Sequence, residues 1–342
     1  MSTRAFITGI SGLELSAAER EFIRSERPWG FILFKRNVET PAQVTQLVAE
    51  LRATIGDPEA PILIDQEGGR VQRLGPPNWP LYPPGAVFGA LYDIDPALGL
   101  AAARLSARLI ADDLSQLGIT VDCLPLADVP VEGADAVIGN RAYGTEPGKV
   151  AAIARAVADG LEQGGILPVL KHIPGHGRAT ADTHFKLPEV DTPRNELERT
   201  DFAAFQPLAD LPMAMTAHVV FSALDPAHPA TTSATIIAQV IRGVIGFQGL
   251  LMSDDVSMNA LAGSIAERTS AIVTAGCDMV LHCNGKLDEM LEVAGATPEL
   301  SGKALERARR ALASRKPPQP FDRQAAWAQL DALIDRAGMK GA

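Results

Sequence analysis

The run Lys171-His172-Ile173-Pro174-Gly175-His176-Gly177, continued by Arg178-Ala179-Thr180-Ala181-Asp182-Thr183-His184, sets one Lys, three His and one Asp within fourteen positions, with two glycines to bend the backbone. A stretch this polar is a poor core element and a good site. Further along, Gly249-Leu250-Leu251-Met252 leads an apolar strand straight into Ser253-Asp254-Asp255. An imidazole that can carry a proton, with a carboxylate that can attack or stabilise a cation, is the minimum equipment for cleaving an acetal.

Asp182 and His184 are two apart, so in an extended segment both side chains leave on the same side. A carboxylate bonded to one imidazole nitrogen fixes the tautomer, raises the ring's pKa and prepares the other nitrogen to donate a proton. The plainer alternative is a solvated loop with one incidental His; the glycine-flanked context favours acid/base work. Gly175 to Ala181 is expected to be a mobile loop that swings His184 over a bound substrate. Asp254 could cap a following helix, but Asp255 can take that duty and leave Asp254 facing a site. His172, His176 and His184 could instead ligate a metal with Asp182 as a fourth ligand. Their spacing fits no zinc pattern and Lys171 would repel a cation, so neither a metal nor another cofactor is expected.

Two further clusters carry polar groups. In Asp65-Gln66-Glu67-Gly68-Gly69-Arg70-Val71-Gln72-Arg73 the glycines make a tight strand exit, and Asp65 is placed to accept hydrogen bonds from vicinal hydroxyls. Glu67 and Arg70, with Arg73, are expected to pair with one another across the turn. Ile138-Gly139-Asn140-Arg141-Ala142-Tyr143-Gly144 puts Arg141 in a glycine-bounded loop, a weak signal by itself.

Something must hold these clusters together. Short apolar runs at 5–8, 30–34, 61–64, 119–121, 167–170, 213–217, 249–252 and 279–281 read as strands, and amphipathic segments such as 98–117 and 150–162 read as helices between them. Ser233 is an expected N-cap for a helix over 234–244, with Gly246 as its stop. Strands apolar on both faces and separated by helices predict a parallel sheet, and eight such units favour a closed (β/α)8 TIM-type barrel. Asp65, Asp122, Lys171, His172, His218, Asp254 and His282 all fall at or just past strand ends, which in such a barrel converge on one mouth. Residues 1–342 are expected to form a single domain, with 299–342 a helical extension packed on the barrel.

Composition narrows the function classes. A net charge of −10 opposes binding to nucleic-acid backbone or anionic lipid. Hydrophobic content of 46% with 21% charged residues describes an ordinary globular chain with a large core. Cys123, Cys277 and Cys283 are odd in number and read as buried thiols of a reducing compartment. The N-terminus lacks the apolar stretch of a signal peptide, and no run approaches the ~18 residues of a membrane span. A cytoplasmic protein, taken as a monomer, is the expectation.

With these segments in view, the chain resembles the single-domain bacterial β-N-acetylglucosaminidases of glycoside hydrolase family 3, the cytoplasmic type that serves peptidoglycan recycling. The motifs that carry the likeness are those at 65–73, 139–144, 171–177 and 182–184, together with Ser-Asp-Asp-Val-Ser-Met at 253–258. Ile173 and Thr183 stand where Phe and Ser are more usual. The resemblance implies that Asp254 is the nucleophile and His184 the general acid/base, with Asp182 its partner. It implies that Asp65, Arg73, Arg141, Lys171 and His172 hold an N-acetylglucosamine unit. It further implies retention through a covalent glycosyl-enzyme, and as substrate a small glycan, the N-acetylglucosaminyl-1,6-anhydro-muropeptide. An imidazole leaves the site less anionic than a second carboxylate would, so phosphorolysis by the same residues is the alternative, beside another β-glycosidase specificity.

Overall fold

In the computed structural model, which describes residues 2–179 and 187–336, eight parallel strands close into a barrel in chain order. They are β1 Arg4–Thr8, β2 Pro28–Leu33, β3 Ile62–Ile64, β4 Val121–Asp122, β5 Leu167–Ile173, β6 Met213–Thr216, β7 Leu250–Asp255 and β8 Met279–His282. All eight coincide with the expected runs to within a few residues. The ladder closes where Phe6 and Ile7 of β1 pair with Val280 and Leu281 of β8. Helices on the outside bridge most of the successive strands, the longest being Pro96–Gln116 and Pro147–Gln163.

Alternation along each strand divides the core into two layers. Ile7, Ile32, Leu63, Val169, Met252 and Leu281 belong to the cluster inside the barrel, while Phe6, Phe31, Ile64, Leu170, Leu251 and Val280 pack outward against the helices. Burial on both faces is why these strands read as unbroken apolar runs. Each such side chain contributes roughly 1.5–3 kcal/mol by leaving water.

The same period of two sorts most of the polar residues at the strand ends, His172 being the exception, since it lines the mouth directly after inward Lys171. Asp65 stands two past inward-facing Leu63, Lys171 two past Val169, and Asp254 two past Met252; all three line a cavity at the C-terminal mouth. Asp122, His218 and His282 do not line it, although each is fully buried. Asp122 and His282 directly follow the inward Val121 and Leu281, so they take the opposite phase. The expected convergence of all seven polar strand ends on the mouth is therefore corrected to four: Asp65, Lys171, His172 and Asp254.

Local signals mostly behave as read. Ser233 caps its helix, its Oγ accepting from Ile236 N–H at 3.1 Å, although that helix over Ile236–Val244 is wound as a π-helix. Gly246 follows it with φ +80°. Asp255 is no helix cap: its Oδ1 accepts from Ser257 N–H at 3.0 Å and Cys283 N–H at 3.1 Å, and the next helix, Ile265–Ala275, has its own capping box from Ser264 and Glu267. The three cysteines are free and buried.

The C-terminal helices are docked. Ala308 and Ala311 of helix Gly302–Ala313 join Ala5 and Trp29 in the inner cluster and so close the bottom of the barrel. Helix Arg323–Arg336 packs outside, with Trp327 5.3 Å from the Tyr82 ring and Arg323 bonded to Asp112 and Asp113, each at 2.8 Å. No helix among the described residues is long and apolar enough to cross a membrane.

Candidate active site

Lys171 reaches the mouth from β5 with its stem buried in the barrel; its Nζ lies 3.0 Å from Asp65 Oδ1 and 2.6 Å from Glu67 Oε1. Arg73 Nη2 takes the other Asp65 oxygen at 3.0 Å, while its guanidinium rests on the Phe34 ring, 5.1 Å from the centroid. Arg141 grips Glu67 with both prongs, Nε to Oε2 at 2.8 Å and Nη2 to Oε1 at 2.7 Å. Three cations and two carboxylates thus share one wall of the site. Such fork geometry fixes the Arg141 plane as well as its charge.

This wall corrects the expected pairing within the 65–73 turn. Glu67 pairs with Arg141 and Lys171 rather than with Arg70, and Arg70 donates to the carbonyls of Ala136, Val137 and Ile138. Arg70 therefore steadies the loop that carries Arg141. Gly68 permits the turn by adopting φ +92°, with its Cα face close to the Pro83 carbonyl.

Charge sets the protonation of this wall. Burial pushes the Glu67 carboxyl up, but Lys171 and Arg141 outweigh it and bring it down to about 2. Asp65 is held lower still, with Lys171 and Arg73 overcoming the burial. Lys171 is raised, since its two carboxylates more than offset burial. Asp122, just below, is pushed well above the ordinary carboxylate range by burial, and its Oδ1 accepts Gln66 N–H at 3.0 Å. It serves the strand exit, outside the cavity.

The opposite side is built around Asp128, a residue the sequence reading passed over. Its Oδ2 lies 2.7 Å from His172 Nδ1, and its Oδ1 accepts the backbone N–H of His172 at 3.3 Å and of His176 at 2.7 Å. A carboxylate only accepts, so Nδ1 of His172 carries the proton, and the residue lines the cavity. Gly177 lets this corner close: a Cβ there would stand 2.1 Å from the Val129 carbonyl oxygen. The only hint of Asp128 in the sequence is a lone acid after Leu124-Pro125-Leu126-Ala127, and nothing in its spacing to His172 announces the contact.

Asp254 completes the site. Its Oδ1 accepts the N–H of Asp255 at 2.8 Å. Burial raises its carboxyl, but His218, His172 and that backbone N–H prevail and hold it below the usual range, so it is ionised at neutral pH. His218 lies behind it, Nδ1 2.8 Å from Thr231 Oγ1 and Nε2 3.0 Å from the Asp255 carbonyl. Together Asp65, Glu67, Arg73, Arg141, Lys171, His172, His176 and Asp254 line a cavity of about 160 Å³ with an apolar floor of Ile32, Met215 and Leu281. Asp182 and His184, and with them Thr180 and Ala181 of the expected mobile loop, lie outside the described residues. Among those described, no group of three or more His, Cys, Asp or Glu is placed to hold a metal ion.

His176 links the site to stability. Burial and the neighbouring His172 depress its imidazole to about 4, against about 6.5 in an unfolded chain. The unfolded state takes up the proton first, so the stabilising contribution is complete above about pH 6.5 and is lost as pH falls through 4. The loss should reach about 3 kcal/mol. Urea midpoints measured across this window should fall in the wild type and fall less in His176→Asn; equal slopes would contradict the assignment.

An ionised carboxylate, a neutral imidazole and a cationic wall in a barrel mouth are the equipment of a glycosidase. Comparison with known proteins agrees. The family described as Glycosyl hydrolase family 3 N terminal domain matches residues 7–313, and the chain belongs to it. A β-hexosaminidase of Alkalilimnicola ehrlichii is 40% identical over 280 residues, 81% of this chain and 79% of its own. One of Xanthomonas campestris is 38% identical over 297 residues, 85% and 88% of the two chains. The crystal structure of NagZ from Neisseria gonorrhoeae in complex with N-trifluoroacetyl-D-glucosamine covers 98% of each chain with a TM-score of 0.83 at 31% identity. Within its family, then, this protein is a glycoside hydrolase of the β-hexosaminidase type.

Proposed function

We propose that this protein is a retaining exo-β-N-acetylglucosaminidase that removes terminal N-acetylglucosamine from peptidoglycan fragments in the cytoplasm, working as a single-domain monomer without a cofactor. The observation that carries the reading is Asp254, ionised and on the inward row of β7, sharing one cavity with Asp65, Arg73, Arg141, Lys171 and His172. The N-trifluoroacetyl-D-glucosamine bound by the gonococcal NagZ supports the sugar assignment.

In the first step Asp254 attacks the anomeric carbon while His184 passes its proton to the departing oxygen, so the glycosidic bond breaks as the glycosyl ester forms. Asp182 orients the imidazole. In the second step His184 takes a proton from water, whose oxygen bonds to the anomeric carbon and releases the Asp254 carboxylate. Asp65, Arg73, Arg141, Lys171 and His172 bind the sugar hydroxyls; their pairings with one another, with Glu67 and with Asp128 keep each donor aimed before substrate arrives.

The role of His184 is tested with aryl N-acetyl-β-glucosaminides of graded leaving-group pKa. His184→Ala should lose on the order of 10²–10⁴ in kcat/KM on poor leaving groups and far less on good ones, which need little protonation. A loss independent of the leaving group would remove His184 from that role.

A further inference from the structure

His176 is absorbed by no step above, yet it is 3% exposed and lines the cavity. Its ring stands 5.6 Å from that of His172 at an angle of 59°. Asp128 anchors its backbone through the N–H, at 2.7 Å, and spends its other oxygen on His172, so the ring itself is held by packing. The ring's Nδ1 is buried with no hydrogen-bond partner among the described residues. A neutral imidazole has one donor and one acceptor. Orphaned N–H groups are rarer in proteins than under-satisfied acceptors, so the buried Nδ1 carries the lone pair and the proton sits on Nε2.

We propose that His176 is a substrate-binding residue whose Nε2–H donates a hydrogen bond to one oxygen of the sugar in this cavity. The inference rests on the glycosidase reading above and adds a donor to its binding residues. No hydrogen bond to this Nε2 is found among the described residues, and, unlike Nδ1, it is not among the fully buried unpartnered atoms, so it is open to the cavity that the ring lines. A sugar oxygen supplies an acceptor. A ring that stays neutral offers this bond without adding to the charge of the three cations opposite.

The test pairs His176→Phe with aryl N-acetyl-β-glucosaminides lacking the 3-, 4- or 6-hydroxyl, and with the aryl β-glucoside lacking the acetamido group. A lost neutral hydrogen bond should lower kcat/KM about tenfold on the parent substrate. The penalty should persist on every analogue except the one without the partner oxygen, where it should vanish. The same penalty on all of them overturns the proposal. Should the variant not fold, histidine-labelled wild type is titrated with N-acetylglucosamine: the His176 Nε2–H resonance should shift on binding, and an unmoved resonance under saturation overturns it. Wild type inactive on every aryl N-acetyl-β-glucosaminide would instead overturn the glycosidase specificity proposed above, whereas active wild type with a uniform His176→Phe penalty rejects only this contact.

Discussion

Asp254→Ala should reduce turnover of an aryl N-acetyl-β-glucosaminide by on the order of 10⁴-fold or more, because the carboxylate proposed to form the glycosyl ester has no uncommitted substitute among the described residues of the cavity. Asp65, Glu67 and Asp255 are the other acids lining it; Asp65 is committed to Lys171 and Arg73, Glu67 to Lys171 and Arg141, and Asp255 to Ser257 and the Cys283 N–H. The fold should survive the change. Among the described residues Asp254 accepts one hydrogen bond, from its own neighbour's N–H, and Asp254→Asn can keep it. Near-wild-type urea midpoints with abolished turnover would therefore separate chemistry from stability. A fluorinated N-acetylglucosaminyl probe should trap its ester on Asp254 in the wild type; a label on any other side chain would sink the assignment.

Lys171→Met is expected to have the largest effect on stability. Lys171 is 2% exposed and is shared between Asp65 and Glu67. Its removal leaves two enclosed carboxylates with one arginine each, and breaking a buried pair in this way costs about 3–5 kcal/mol. The pH dependence has a defined sign. With Lys171 present the carboxyls of Asp65 and Glu67 are depressed, Glu67 to about 2, so they add stability above the unfolded values near 4 and lose it as pH falls through the folded ones. Without the lysine their folded values rise, so the penalty should be full at pH 7 and shrink toward pH 4 as protons replace the missing cation. Glu67→Gln added to Lys171→Met should recover part of the loss at neutral pH. Urea denaturation of the two variants at both pH values checks this, and a penalty that is flat with pH would mean packing, not charge, is what Lys171 supplies.

The barrel was legible in the chain because every strand is buried on both faces, so each appears as a short apolar run between helical segments. The motif residues were legible for a related reason: side chains as polar as Asp65, Lys171, His172 and Asp254 at the ends of such runs have no role in a core. What misled the linear reading was treating all polar strand ends alike. Strand phase would have moved Asp122 and His282 to the helix side, since each directly follows an inward residue, but it would have moved His172 as well, which follows inward Lys171 and still lines the cavity. Asp255 was assigned a helix it does not cap, because the chain makes a turn at Ser257 before the next helix begins at Ile265.

The amino-acid order by itself determined the eight strands, the inward placing of Asp65, Lys171 and Asp254, and the glycines that let the loops turn, since these follow from periodicity and local backbone preference. Only the tertiary structure decided which charges meet. Glu67 finds Arg141 from 74 positions away and Lys171 finds Asp65 from 106, while Asp128 locks His172 from 44. Partners on different strands are chosen by how the barrel closes, and that closure is a property of all eight strands together that no local stretch encodes.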